Sequence, residues 1–497
     1  MTLHTISINP LSKRLNDASL LRTHAYIDGE WVDAVNGDVV AVKDPATSTQ
    51  IGTVPNMGAA ETARAIDAAE QARHKWASLA AKDRANVLRR WFELIIENLS
   101  DLATIMTAEQ GKPFSESQAE IRYAASFVEW FSEEAKRAYG DLIPSPRAQS
   151  RIMVLKQPIG VVAAITPWNF PAAMITRKCA PALAAGCAVV VKPSEFTPYS
   201  ALALAILAER AGVPKGILNI VTGDATLIGG EMTSNPIVRK ISFTGSTRVG
   251  KLLIEQSAQT VKKVAMELGG NAPLIVFQDA DLDVAVQGVI NAKFRNTGQT
   301  CICPNRIYVH NDVHDAFVER LATAVGALKV GDGFAESVQQ GPLINEAALE
   351  KVERHVGDAL DKGAKIVVGG KRHKLGQTFF EPTVLTNVDS SMLFESEETF
   401  GPVAPVQRFF DEESVIRAAN ATSSGLAAYI FTRDLDRMWR VAEKIESGIV
   451  GVNEGLVSNE VAPFGGVKES GIGREGSKYG IEEFLELKYI CITQSAG

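Results

Sequence analysis

The chain has 497 residues, of which 46% are hydrophobic and 22% charged, and its net charge is −7. That length exceeds one hydrophobic core and predicts two or three domains. The acidic balance argues against a nucleic-acid partner, and no apolar run approaches the roughly 18 residues of a membrane span. Five cysteines, an odd and sparse set, do not make a secreted disulfide framework and fit a reducing, intracellular setting.

In chain order, residues 1–24 read as an N-terminal arm. Met1 to Arg22 has no apolar h-region. Lys13, Arg14 and Arg22 give it a faint transit-peptide character that Asp17 counts against, so the expected compartment is the cytoplasm rather than an organelle. Ala25 to Trp31 reads as a short hairpin. Three helical patterns follow, Ala59 to Trp76, Ala81 to Glu109 and Phe114 to Tyr139, with apolar positions at 3- and 4-residue spacing. Pro144 and Pro146 break the chain. Arg151 to Lys156 reads as an exposed strand, as does Leu485 to Thr493 at the other end. Two orphan strands so far apart suit pairing with each other or with another subunit.

From Gly160 the pattern alternates. Val161 to Ile165, Ala188 to Val191, Leu218 to Val221, Lys240 to Phe243 and Lys263 to Glu267 are short β-branched or apolar runs, separated by helical segments such as Tyr199 to Ala211 and Thr247 to Gln256. This alternation predicts an α/β fold with a doubly wound, Rossmann-type sheet. A second series runs from near Pro273 to Asn453, with helices Val313 to Leu328 and Asn345 to Lys362. The expected division is a cofactor domain over 25–140 and 160–270, a catalytic domain over 271–465, and strands over 141–159 and 480–497.

Phe294-Arg295-Asn296-Thr297-Gly298-Gln299-Thr300-Cys301 is a polar, glycine-containing turn ending in a cysteine. Thiols are partly ionised near neutral pH and are good nucleophiles, and a loop cysteine is open to substrate. A packing cysteine is the commoner case, but Arg, Asn, Gln and Thr are the wrong neighbours for a core. The seven histidines lie away from the motif loops, which argues against a Cys–His dyad. No metal is expected, because Cys301-x-Cys303 has no second pair or histidine at ligand spacing. A carboxylate base is available in Met266-Glu267-Leu268-Gly269-Gly270, at a strand end. Gly471 to Gly476 formally matches G-x-G-x-x-G but follows a loop, and reads as a glycine-rich turn without a phosphate role. Phe243 to Gly250, where a strand gives way to a helix, is the better phosphate candidate.

Taken together, Pro167-Trp168-Asn169-Phe170-Pro171, Lys192-Pro193-Ser194-Glu195, Phe243-Thr244-Gly245-Ser246, Glu267-Leu268-Gly269-Gly270, Gly298-Gln299-Thr300-Cys301, Glu398-Thr399-Phe400-Gly401-Pro402 and Pro463-Phe464-Gly465-Gly466 occur in this order. They closely resemble the signature set of the NAD(P)-dependent aldehyde dehydrogenase superfamily, from about Ala25 to the C-terminus. The resemblance implies an aldehyde-dehydrogenase-like fold: a cofactor domain, a catalytic domain and a small β oligomerisation arm. It implies that Cys301 attacks the aldehyde carbon, and that the Asn169 amide and the Cys301 backbone N–H hold the oxyanion. Hydride then leaves for the nicotinamide, and Glu267 activates water to release the thioester. Lys178 is implied as a proton path to Glu267. Lys192, Ser194 and Glu195 are implied at the adenosine ribose, Gly245 and Ser246 at the pyrophosphate, and Glu398, Phe400 and Trp168 around the nicotinamide. Glu195 favours NAD over NADP, since a carboxylate repels a 2′-phosphate, although Lys192 and Ser194 stand ready for one.

Within the superfamily the chain resembles succinate-semialdehyde dehydrogenases most. Ile175-Thr176-Arg177-Lys178, Lys293-Phe294-Arg295-Asn296, Val457-Ser458-Asn459-Glu460 and Arg474 to Ile481 carry that resemblance. It implies that Arg177, Arg295 and Ser458 hold the far carboxylate of a semialdehyde, a task suited to planar guanidinium forks. Glutarate semialdehyde remains an equal fit to these residues. It implies Cys303 as a redox partner for Cys301, against a plain packing role, and a homodimer or homotetramer. A CoA-acylating relative is disfavoured by Glu267 and a thiol hydrolase by the lack of a histidine partner. A non-enzymatic relative is disfavoured by Cys301, Glu267 and Asn169 together.

Overall fold

The computed structural model describes residues 10–493; the first nine residues of the expected N-terminal arm and the last four of the C-terminal strand segment lie outside the described residues. The hairpin forms as expected, Ala25–Ile27 pairing with Glu30–Val32. Four helices follow rather than three. The long pattern from Ala81 divides into Ala81–Glu97 and Leu99–Gln110. At the break the Asn98 side chain donates to the Leu94 carbonyl at 2.8 Å, the local competition with backbone bonding that makes Asn a poor helix interior residue. Apolar periodicity alone does not register that break. Phe114–Glu134 ends earlier than expected, in a 3-10 turn over Ala135–Arg137.

The first sheet is doubly wound. Its five parallel strands, Val161–Ile165, Ala188–Lys192, Leu218–Ile220, Val238–Thr244 and Lys263–Glu267, lie in the spatial order third, second, first, fourth, fifth. The order reverses between the first and fourth strands, where such sheets open a crevice at their C-terminal ends. The hairpin closes one edge through Tyr26 and Ile220. The other edge is closed by Gly471–Ile472, antiparallel to Met266 and Glu267. A late segment of the chain thus returns to the first sheet. One apolar core joins the hairpin, the early helices, this sheet and Ile481, Phe484 and Leu485.

The second sheet carries seven strands in the order Lys365–Val368, Thr383–Thr386, Val403–Phe409, Pro304–His310, Ala272–Val276, Ala427–Phe431 and Ile449–Val452. All neighbours are parallel except the first pair. The two orphan strands do pair with each other: Ser150–Pro158 and Leu485–Thr493 are antiparallel over nine residues, with Asp141–Ile143 alongside. Among the described residues no helix is long and apolar enough to cross a membrane.

The chain passes from the C-terminal end of the strand Lys263–Glu267 through Gly269 and Gly270 into Ala272–Val276 of the second sheet. Cys301 precedes the neighbouring strand Pro304–His310. A Cβ on Gly270 would lie 2.4 Å from the Cys301 carbonyl oxygen, so this crossing requires glycine for its close approach to the cysteine turn. Gly270→Ala should therefore displace the Cys301 backbone. The expected outcome is a thermal midpoint several degrees lower and a changed rate of Cys301 alkylation; unchanged values for both would contradict the close approach.

Candidate active site

Six of the expected residues follow from strand ends. Trp168 and Asn169 lie just beyond Val161–Ile165, Lys192 ends Ala188–Lys192, Gly245 and Ser246 follow Val238–Thr244, and Glu267 ends Lys263–Glu267. All therefore gather at the carboxyl edge of the first sheet, flanking its switch point. The Cys301 turn is built differently. Asn296 and Thr297 both adopt left-handed backbone, at φ 51° and 58°, a conformation that costs energy in non-glycine residues and persists only where surroundings enforce it. Here the Asn296 side chain donates to the carbonyls of Asn169 at 2.9 Å and Gln299 at 3.2 Å, and accepts from Gln110 at 3.1 Å. Its backbone N–H donates to the half-buried Glu116 at 2.8 Å.

One small cavity brings together Cys301, Arg177, Arg295 and Ser458, walled by Tyr123, Phe170 and Phe464. The larger hollow between Trp130 and Tyr479 contains none of these four residues, and the one beside Phe294 and Leu328 shares only Arg295 with them. The Asn169 Nδ2 donates to the Gln299 carbonyl at 3.0 Å, which orients the amide and leaves its second N–H uncommitted. Arg177 is fully buried. Its guanidinium lies 4.0 Å over the Phe464 ring, its Nη1 donates to the Tyr123 hydroxyl at 3.3 Å, and its Nε sits 2.8 Å from Glu475 Oε2. That ion pair is close but not aligned as a hydrogen bond, and the buried Nη2 has no partner. Arg295 lies 4.8 Å over the Phe170 ring.

Glu475 is the residue sequence reasoning passed over. It sits in the glycine-rich turn after Gly471–Ile472, and it bridges Arg177 to Lys178. Lys178, with no exposed surface, also donates to Thr244 Oγ1 at 2.6 Å. Its bonded partners are thus Glu475 and Thr244, while its charge bears on Glu267 nearby. The available signal was the pairing of consecutive buried-type basic residues, Arg177 and Lys178, which need a buried acid.

The acids of the site divide by environment. Burial, then repulsion from Glu475, raises the Glu267 carboxyl well above its ordinary range, against the pull of Arg177 and Lys178. Burial also works against ionised Glu475, but Lys178 and Arg177 more than offset it and hold its pKa low. Of the two acids, Glu475 is biased towards its anion and Glu267 towards its protonated form. Burial and the neighbouring Glu398 push the Cys301 thiol up to about 12, while Arg177 and the residue's own N–H pull the other way. Burial raises Glu398 to about 7. Cys303 is buried, with its thiol 3.5 Å from the Lys293 carbonyl, and both Cys301 and Cys303 are free thiols.

Most of the expected cofactor residues share the same edge, while Glu398 and Phe400 precede the strand Val403–Phe409 of the second sheet. Lys192 Nζ lies 3.1 Å from Glu195 Oε2, the lysine buried and the glutamate exposed. The Ser194 hydroxyl accepts from Phe196 N–H, and the Ser246 hydroxyl caps the helix Thr247–Ala258 through Val249 N–H. Gly245 leaves no room for a Cβ, which would meet the Phe243 ring at 2.4 Å. Trp168 and Phe400 meet edge to face at 5.6 Å. Glu398 Oε1 is buried without a hydrogen-bond partner, and an orphaned buried acceptor of this kind fits a ribose hydroxyl.

This architecture, a doubly wound sheet facing a cysteine turn across a buried carboxylate, is that of a nucleotide-dependent oxidoreductase. The chain belongs to the aldehyde dehydrogenase family, matching it over residues 31–490. It is 62% identical to a glutarate-semialdehyde dehydrogenase of Pseudomonas aeruginosa over 96% of this chain and 99% of that one. It is 60% identical to a succinate-semialdehyde dehydrogenase [NADP(+)] of Escherichia coli K12, over 96% and 99%. A crystal structure of succinate-semialdehyde dehydrogenase from Burkholderia pseudomallei superposes with a TM-score of 0.96 at 62% identity, covering 97% of this chain and 100% of that one.

Because Glu475 repulsion is what Glu267 loses when that acid is neutralised, Glu475→Gln should lower the Glu267 pKa. The acidic limb of kcat against pH should then move to lower pH, by up to about one unit. A shift upward, or none, would separate Glu475 from the titration of Glu267.

Proposed function

We propose that this enzyme oxidises a short aldehyde carrying a far carboxylate, succinate semialdehyde or its one-carbon-longer homologue glutarate semialdehyde, to the dicarboxylate. The observation that carries the proposal is the unpaired Nη2 of buried Arg177, lining one cavity with Cys301, Arg295 and Ser458. A buried, unpartnered guanidinium N–H is costly unless a ligand completes it, and a carboxylate is the group that guanidinium geometry matches. The names of the two relatives agree with that substrate class.

In this reading Glu267 first releases its own proton towards Lys178 and Glu475, and its ionised form, made strongly basic by burial, then takes the proton of Cys301. The sulfur then adds to the aldehyde carbon, and the developing oxyanion is met by the free N–H of Asn169 Nδ2 and the Cys301 N–H. Preorganised donors of this kind are worth roughly 10²–10³ in rate each. NAD(P), when bound, supplies the hydride acceptor. Lys192, Ser194 and Glu195 would hold its adenosine end, Gly245 and Ser246 its pyrophosphate, and Glu398, Phe400 and Trp168 its nicotinamide end. Glu267 then activates water against the acylated Cys301, passing its proton towards Lys178 and Glu475. The exposed apolar side chains Leu142, Leu155, Leu487 and Tyr489 on the three-stranded sheet support a homodimer or homotetramer assembled through that sheet. The same reading keeps the enzyme in the cytoplasm, where a thiol nucleophile stays reduced.

Arg295→Ala should raise KM for succinate semialdehyde at least tenfold and leave KM for butanal within about threefold, the cost of one lost charge-assisted contact. Equal losses on both aldehydes would remove the carboxylate clamp. The Glu195 carboxylate beside Lys192 is proposed to set NAD over NADP, because it neutralises the lysine and repels a 2′-phosphate. Glu195→Ser should shift the NADP-to-NAD ratio of kcat/KM upward by about tenfold or more. A parent enzyme that already prefers NADP would overturn this assignment.

A further inference from the structure

Behind the oxyanion side of the cavity lies a second buried ion pair that the steps above do not use. Lys112 and Glu120 have side chains with 0% and 1% exposure, and Lys112 Nζ lies 2.5 Å from Glu120 Oε2. The ammonium makes a further hydrogen bond, at 2.7 Å, to the backbone carbonyl of Asn169. It also sits 4.2 Å over the Phe170 ring, the ring on which Arg295 rests at 4.8 Å. Glu120 uses its other oxygen, Oε1, to accept from the backbone N–H groups of Ala172 and Ala173, at 3.0 and 3.3 Å. Those groups open the helix Ala173–Ala185, which carries Arg177 and Lys178. A buried pair of this kind gains little stability over an apolar pair of equal volume, so its presence calls for another reason.

We infer that the Lys112–Glu120 pair is a positioning device: it fixes the peptide of the oxyanion donor Asn169, the Phe170 wall beneath Arg295 and the start of the helix bearing Arg177 as one rigid unit. Four groups of the proposed reaction would otherwise depend on a loop between a strand and a helix. Lys112 binds the Asn169 carbonyl from one side while Asn296 Nδ2, on the cysteine turn, binds the same oxygen at 2.9 Å. The oxyanion donor and the nucleophile's loop are thereby held by shared bonds to one carbonyl. Small displacements of such donors cost rate steeply, because their contribution depends on aim. The inference rests on the function proposed above and deepens it.

Lys112→Met alone strands a buried carboxylate and is expected to unfold readily, so the informative variant is Lys112→Met/Glu120→Gln. It removes both charges, keeps their volume, and leaves an amide oxygen to accept from Ala172 and Ala173. The variant should fold with a thermal midpoint within a few degrees of the parent. Its single-turnover rate of Cys301 acylation by succinate semialdehyde should fall at least tenfold, with the dissociation constant for NAD within twofold. Combining it with Asn169→Ala should give a rate no more than about twofold below Asn169→Ala alone, because both changes remove the same donor. Acylation within twofold of the parent, or multiplicative losses in the combined variant, would overturn the positioning role. If the parent itself forms no acyl-Cys301 with any aldehyde, the proposed function fails instead.

Discussion

Four ionisable side chains buried at one seam, Arg177, Lys178, Glu475 and Glu267, set the terms for the rest of the molecule. Charges removed from water are tolerated only when paired, and these come from three distant parts of the chain. Arg177 and Lys178 are neighbours on one helix, so their side chains leave it about 100° apart. The arginine reaches the cavity with Cys301 and the lysine reaches Thr244 on the fourth strand. Glu475 can serve both only because the chain returns to the edge of the first sheet at Gly471–Ile472. A Cβ on Gly471 would lie 2.0 Å from the Met266 carbonyl, so the return depends on a glycine at that edge. The C-terminal segment is therefore part of the site as well as a lid on the sheet.

Much of this architecture was legible in the sequence where local pattern and global fold agree. The five strands of the first sheet are β-branched runs at regular spacing, and their order follows from the doubly wound rule. The orphan strands at Arg151 and Leu485 announced their pairing because neither had a neighbour in sequence. Illegible features share one cause, which is that their meaning lies in a contact far along the chain. Asn98 divides a helix through a side-chain bond that apolar periodicity does not encode. Glu475 lay in a turn read only as glycine-rich, and its partner Lys178 is some 300 residues away. Lys112 falls between two helical patterns and Glu120 within one, with nothing local to mark either, yet Lys112 is bonded to the Asn169 carbonyl 57 positions on. Arg177 was expected at a substrate carboxylate; it lines the cavity of Cys301, but its Nε already faces Glu475.

That partial commitment matters to the chemistry. Cys301, Glu267 and Glu398 are three acids in one water-poor region, and each ionisation opposes the next. With Glu398 raised to about 7 and the thiol to about 12, burial and the neighbouring acids both oppose ionisation of the sulfur. Arg177 is the nearby cation that lowers the thiol pKa. A carboxylate substrate seated on Arg177 would cancel part of that help just when the nucleophile is needed. The geometry contains a compensation. Arg295 adds a second cation on the Phe170 side of the same cavity, so the incoming anion is met by more positive charge than Glu475 alone has used. In the proposed reaction, selectivity for an anionic aldehyde and ionisation of the sulfur thus draw on the same guanidinium field. Two arginines satisfy both demands where one would have to choose between them.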